Sequence, residues 1–188
     1  MANIFSNFIK DASGSLKSKA DADTHIDQIQ RIKKKLTAAQ KADKELKVFG
    51  AKAHQYRIGP PIPEREVVAF EERFSLALPE CYRSFLTSAG NGGPSYRGSA
   101  AGPFYGIYPL GQDIDELAVR PASYLNRPAI IDPAMTDEEW AALIKRIKDD
   151  DEISDEEYEK ERESIYGGLL PIGSQGCTVI HALVLNVA

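Results

Sequence analysis

Two prolines, Pro63 and Pro79, divide the middle of this chain into two short helices and limit what it can fold into. Proline suits the first position of a helix, where its missing N–H costs nothing, and it is excluded from the interior. After Pro63, the residues Val67, Phe70 and Phe74 fall at i, i+3 and i+7; after Pro79, Tyr82, Phe85 and Leu86 form a second apolar stripe. Gly90 is expected to cap the second helix, and Asn91-Gly92-Gly93-Pro94 cannot continue it. The stretch from Ile62 to Pro94 is therefore a scaffold, two amphipathic helices bent around a Leu78-Pro79-Glu80 corner, and it contains no catalytic motif.

The same string carries a family resemblance. Phe70-Glu71, then Leu78-Pro79-Glu80, Tyr82-Arg83, Phe85-Leu86 and Gly90-Asn91-Gly92-Gly93, in that order, resemble the SUKH superfamily. Phe104-Tyr105-Gly106-Ile107-Tyr108-Pro109-Leu110 matches that family's first strand region, and Leu169-Leu170-Pro171-Ile172-Gly173 with Gly176-Cys177 and the apolar run after it matches a later one. The resemblance covers roughly residues 58–117 and 167–188. It implies an α+β fold, helices packed on one face of a mostly antiparallel sheet. It also implies a protein-binding role. The family includes bacterial immunity proteins that neutralise polymorphic toxins, often nucleases, and regulators of cell-wall assembly. Such members usually continue past the last strand found here, so either the chain is shortened or its sheet is short.

Outside the scaffold, Ile4, Phe5, Phe8 and Ile9 read as a short helix followed by a loop. Thr24 with Asp27 resembles a capping box, and Ile26, Ile29, Ile32 and Leu36 mark an amphipathic helix after it. Leu46, Phe49, Ala53 and Tyr56 continue at helical spacing, interrupted at Gly50. Arg57-Ile58-Gly59-Pro60-Pro61 reads as a linker, which puts a helical arm at 1–57 and the main domain at 58–188. Phe104–Leu110 reads as a strand. An acidic helical insertion fills about 118–166, with capping boxes at Thr136/Glu139 and Ser154/Glu157 and a stop at Gly167-Gly168. Leu169–Ile172 and Thr178–Asn186 are the closing strands, and the second, apolar on both faces, reads as central and covered.

Charge divides the chain at the same linker. Residues 1–57 hold 12 Lys or Arg against 6 Asp or Glu, and residues 58–188 hold 11 against 22. An acidic body disfavours nucleic acid and favours a basic protein partner, because complementary potentials steer association. The acidic groups Asp113, Asp115 and Glu116, and Asp149, Asp150, Asp151 and Glu152, are the candidate partner-binding residues. Lys33-Lys34-Lys35 has no interleaved aromatics, so it reads as a solvated helix face and not as a nucleic-acid or lipid patch. No stretch has the length of a membrane span or the form of a secretory signal, so a soluble cytoplasmic protein is expected.

Catalytic and metal readings fare poorly. Cys177 and His181 are four apart on an expected strand, about 13 Å along it, beyond hydrogen-bond reach. Cys81 and Cys177 read as buried free thiols, and His181 as a histidine at the edge of the core. His25 and His54 have no neighbouring ligand cluster. The acidic run from Asp149 lacks the glycine and ligand alternation of a calcium loop and reads as an interhelical turn. Asp113, Asp115 and Glu116 read as favourable charge at a helix N-terminus more readily than as metal ligands. The glycine-rich loop 95–102 lacks the lysine of a phosphate loop. The expectation is a non-enzyme without cofactor or metal. A homodimer through the Thr178–Asn186 edge is expected if no other strand of the chain covers it.

Overall fold

The computed structural model describes residues 19–93, 106–132, 134–149, 153–176 and 179–186. Among the described residues the architecture is α+β: a three-stranded antiparallel sheet in the order β1-β2-β3, with seven α-helices. The strands are β1 (Gly106–Ile107), β2 (Leu169–Gly176) and β3 (Val179–Val184). The expected helices at 4–9, the loop 95–102, Phe104-Tyr105 and Cys177-Thr178 lie outside the described residues.

The proline-opened pair forms as its stripes dictate. Helix α3 (Glu64–Phe74) buries Val67, Phe70 and Phe74, and helix α4 (Glu80–Ser84) buries Tyr82. Both prolines stand one residue outside their helices, at the N-cap positions. The second helix is not regular to its end: Phe85–Ala89 widen into a π turn, closed by the Gly90 N–H on the Phe85 carbonyl at 3.0 Å. The Thr87 hydroxyl takes the Arg83 carbonyl at 3.0 Å, competing for the helical ladder there. Phe85 and Leu86, adjacent in sequence, are both buried. They join one core with Ile107, Leu117, Tyr124, Leu125, Leu169, Leu170 and Leu183.

A polar clamp holds the Leu-Pro-Glu corner. Glu71 Oε1 accepts the Leu78 N–H at 2.8 Å, while its other oxygen pairs with Arg83, whose Nε also reaches Glu64 at 2.7 Å. Beyond the π turn, the Asn91 side chain accepts the Leu110 N–H at 2.7 Å, and its backbone N–H meets the Pro60 carbonyl at 3.2 Å. The glycines here are forced by close approach. A Cβ on Gly92 would lie 2.2 Å from the Pro109 nitrogen, and one on Gly90 would lie 2.2 Å from the Gly59 carbonyl oxygen. The family-like string of the sequence is thus a set of internal ties.

Several expectations are corrected. Helix α1 (Lys19–Ala42) starts before Thr24, which lies inside it and cannot cap it. Ile29 is buried and Ile32 packs on the core, but Ile26 is exposed. The helix does not resume through Leu46 and Phe49. Leu46 turns left-handed (φ 52°), Phe49 is exposed, and only the short α2 (Ala51–His54) follows Gly50. The turn is organised instead by Asp43, whose carboxylate accepts the N–H groups of Lys47 (2.7 Å) and Val48 (3.1 Å) and the Tyr56 hydroxyl (2.7 Å). The linker is tied down as well, for Gly59 N–H bonds to the Gly92 carbonyl.

The sheet also differs from expectation. Among the described residues β3 pairs only with β2, so it is an edge strand, not a central one, and Leu183 is its one buried residue. The run that is apolar on both faces misleads because Ile180, Ala182 and Val184 are only partly covered. Pro171 stands in the middle strand opposite Ala182, and the register shifts just after it, between Pro171 and Gly173. Leu169 and Leu170 point to opposite faces, and both are buried, so that end of the sheet is covered on both sides. Of the expected Phe104–Leu110 strand, Gly106–Ile107 form β1 and Tyr108–Leu110 lie outside it, with the Tyr108 N–H still bonded to the Ile172 carbonyl at 3.0 Å.

Candidate partner-binding surface

The insertion contains α5 (Pro121–Tyr124), α6 (Asp137–Asp149) and α7 (Asp155–Ile165). Both expected capping boxes form. The Glu139 N–H reaches Thr136 Oγ1 at 3.2 Å while the Thr136 N–H reaches Glu139 at 2.8 Å, and Ser154 and Glu157 repeat the exchange. Those bonds hold the Glu139 carboxyl below its ordinary range.

Helix α7 is fixed to the body by charge, through side chains at i, i+3 and i+4. Glu159 accepts the Val119 N–H at 3.2 Å, and Arg162 donates to the Glu116 carbonyl at 2.9 Å. Glu163, buried to within 4% of its surface, takes Arg120 on one oxygen and approaches Arg127 at 3.7 Å on the other. A buried carboxylate needs such partners, since its desolvation would otherwise be costly. Sequence reading saw α7 as an acidic helix and did not single these residues out. The available signal was Arg120 and Arg127, two cations in the segment just before the insertion's long helices, facing a helix whose apolar residues are too few to dock it.

Of the candidate acidic residues, Asp113, Asp115, Glu116 and Asp149 lie within the described residues. Leu110–Asp115 form turns, and the next helix begins only at Pro121, so Asp113, Asp115 and Glu116 do not sit at a helix N-terminus. Asp113 is left-handed (φ 52°) and half-buried, and the Gln112 side chain donates to it at 3.3 Å. Asp115 is exposed. Glu116 is engaged internally, accepting the hydroxyl of fully buried Tyr108 at 2.9 Å. Burial pushes that phenol up to about 12, so it remains a donor. Asp149 ends α6, and Asp150, Asp151 and Glu152 lie outside the described residues. The Glu116 carbonyl meets Arg162 in the last turn of α7.

What remains on the surface is an acidic helix with apolar residues beside it. Asp155, Glu156 and Tyr158 are exposed on α7, and Val119 is exposed next to it. The Arg162 guanidinium lies 5.7 Å from the Tyr158 ring centroid. Lys160 pairs with Glu156 at 2.7 Å and lowers its carboxyl. Among the described residues, no group of three or more His, Cys, Asp or Glu is placed to hold a metal ion, and no helix is long and apolar enough to cross a membrane. Cys81 is half-buried and not fully enclosed, and His181 lies half-buried on the edge strand.

Residues 61–186 match the model of the SMI1 / KNR4 family (SUKH-1). The match runs through the insertion as well as the two segments whose motifs resemble that family. No curated protein and no solved structure matches the chain.

Proposed function

This chain belongs to the SMI1/KNR4 family (SUKH-1), and from that premise we propose that it is a non-catalytic immunity protein that binds and neutralises a cognate toxin domain in the cytoplasm. The observation that carries the reading is the charge of the body, 22 Asp or Glu against 11 Lys or Arg over residues 58–188. A nuclease toxin must present basic surface to nucleic acid. An acidic body steers onto such a surface and occludes it, needing no chemistry of its own. The engagement of Glu71, Arg83 and Asn91 in internal bonds supports a binding scaffold over an enzyme.

Among the described residues no strand pairs with the far edge of β3, which carries no Lys, Glu or Pro, and this supports pairing with a second copy. Light scattering measures that directly. The reading expects a toxin-domain gene directly upstream, and the functional test is co-expression with that domain. Restored growth and a complex on size exclusion are expected. Undiminished toxicity with no complex overturns the reading and leaves the family's other role, a regulatory interaction module, which cell-wall phenotypes of a deletion strain would reveal.

A further inference from the structure

We propose that Val119 and Tyr158 form the apolar centre of the surface that meets a basic protein partner, an inference that rests on the toxin-binding reading above. Large apolar side chains left in water on a folded surface are informative when they gather. Val119 is 60% exposed and Tyr158 37%. They come from segments distant in sequence, yet the same Glu159–Arg162 pair holds both. Glu159 takes the Val119 N–H at 3.2 Å, and Arg162, bonded to Glu159 at 3.2 Å, lies over the Tyr158 ring.

Two features make this a docking centre and not an incidental pair. First, it is ordered before any partner arrives. Arg162 is bonded on one side to Glu159 and on the other to the Glu116 carbonyl, so the tyrosine is backed by a fixed cation and Val119 by a fixed backbone. Rigid anchors lose little side-chain entropy on association. Second, its surroundings are acidic. Asp155 and Glu161 stand three residues to either side of Tyr158, on the same helix face, and Asp115 is exposed on the neighbouring turn. The basic side chains around the centre, Arg120, Lys160 and Arg162, are already paired with Glu163, Glu156 and Glu159. An aromatic and aliphatic centre within a polar rim is the common anatomy of a binding hot spot. The acidic rim selects a partner whose matching rim is lysine- and arginine-rich. The opposite ordering, a cationic rim suited to acidic partners, is absent from this face because its cations are internally neutralised.

The test uses the full chain and the toxin domain of the co-expression experiment above, with affinity read by calorimetry and fold by urea midpoint. Tyr158→Ala and Val119→Ser, both at exposed positions, should leave the midpoint unchanged and weaken binding by about 30-fold or more for the tyrosine, the size of a hot-spot truncation. Tyr158→Phe should bind nearly as well as the native chain, because the ring supplies the contact. Native binding with both truncations equally tight overturns this surface while leaving the toxin-binding reading intact. A native chain that does not bind overturns both.

Discussion

Glu71→Ala should loosen the corner between α3 and α4 by about 2–4 kcal/mol, and the figure can be assembled from separate parts. Glu71 has two tasks. Its Oε1 accepts the Leu78 N–H at 2.8 Å, and its Oε2 pairs with Arg83, the two side chains being 14% and 21% exposed. A hydrogen bond from a partly buried backbone N–H to a charged acceptor contributes about 1.5–3 kcal/mol, and removing the acceptor leaves the donor without a partner. The ion pair adds no more than about 1 kcal/mol, because it is partly solvated. Arg83 also keeps Glu64. Arg83→Met removes that pair and the one to Glu64, two partly solvated pairs worth no more than about 1 kcal/mol each, with the Leu78 bond retained. Urea denaturation of both single variants and the double variant, compared at unchanged slope, measures each cost and the coupling between them. The Leu78 amide should exchange faster in Glu71→Ala alone. If Glu71→Ala costs no more than Arg83→Met, the backbone tie is not what holds the corner, and the reasoning fails.

Other outcomes follow from the same packing. Phe85→Ala should cost about 3–5 kcal/mol, since Phe85 is buried in the π turn; a wild-type urea midpoint would place it outside the core. Gly92→Ala should destabilise sharply, since its Cβ would meet the Pro109 backbone at 2.2 Å, and recovery of soluble protein with a native midpoint would contradict the geometry. His54 accepts the Tyr56 N–H on Nδ1 at 2.9 Å, and burial holds its pKa below the usual histidine value. Its contribution is therefore complete above the unfolded pKa of about 6.5 and declines as pH falls toward the folded value. His181 is lowered by burial with the same sign, so the pH slope should flatten partly in His54→Asn and further when His181 is also replaced. Association with a basic toxin should slow with added salt and with charge reversal at Asp115 or across Asp149–Glu152, measured by stopped flow; rates indifferent to both would leave shape alone to explain binding.

The legible parts of the fold were those written in local pattern. The stripes Val67/Phe70/Phe74 and Tyr82/Phe85/Leu86 became core, and both capping boxes closed, because spacing and cap chemistry act within a few residues. The illegible parts were set by distant partners. Nothing near Phe85 announces a π turn, which depends on burying two adjacent side chains while the chain heads for the Asn91 junction. The apolar run of β3 could not reveal how many neighbours it would have. Leu46 and Phe49 kept helical spacing but lost to the Asp43 turn, whose third partner, Tyr56, lies well beyond it. The candidate surface was half visible. Acidic charge on Asp115 and α7 could be read directly, but Glu116 and Glu163 look like surface acids until Tyr108 and Arg120 are seen to claim them.

The bonds made just after β3 bear on how this protein is synthesised. Asn186 accepts the Ala129 N–H at 2.8 Å, and its amide reaches the carbonyls of Leu125 at 3.5 Å and Arg127 at 3.4 Å; the Leu185 N–H closes on Gly168 at 2.8 Å. The last described segment to leave the ribosome is thus the one that latches the middle of the chain. The contacts of α1 with α4 and the π turn lie wholly upstream of it and can be made while translation continues. Leu125, Leu169 and Leu170 must wait for β3 and its latch before they are fully enclosed. Until β3 is made, part of the single core stays open, so a slow codon or stalled ribosome just before β3 would expose apolar surface around Leu125, Leu169 and Leu170.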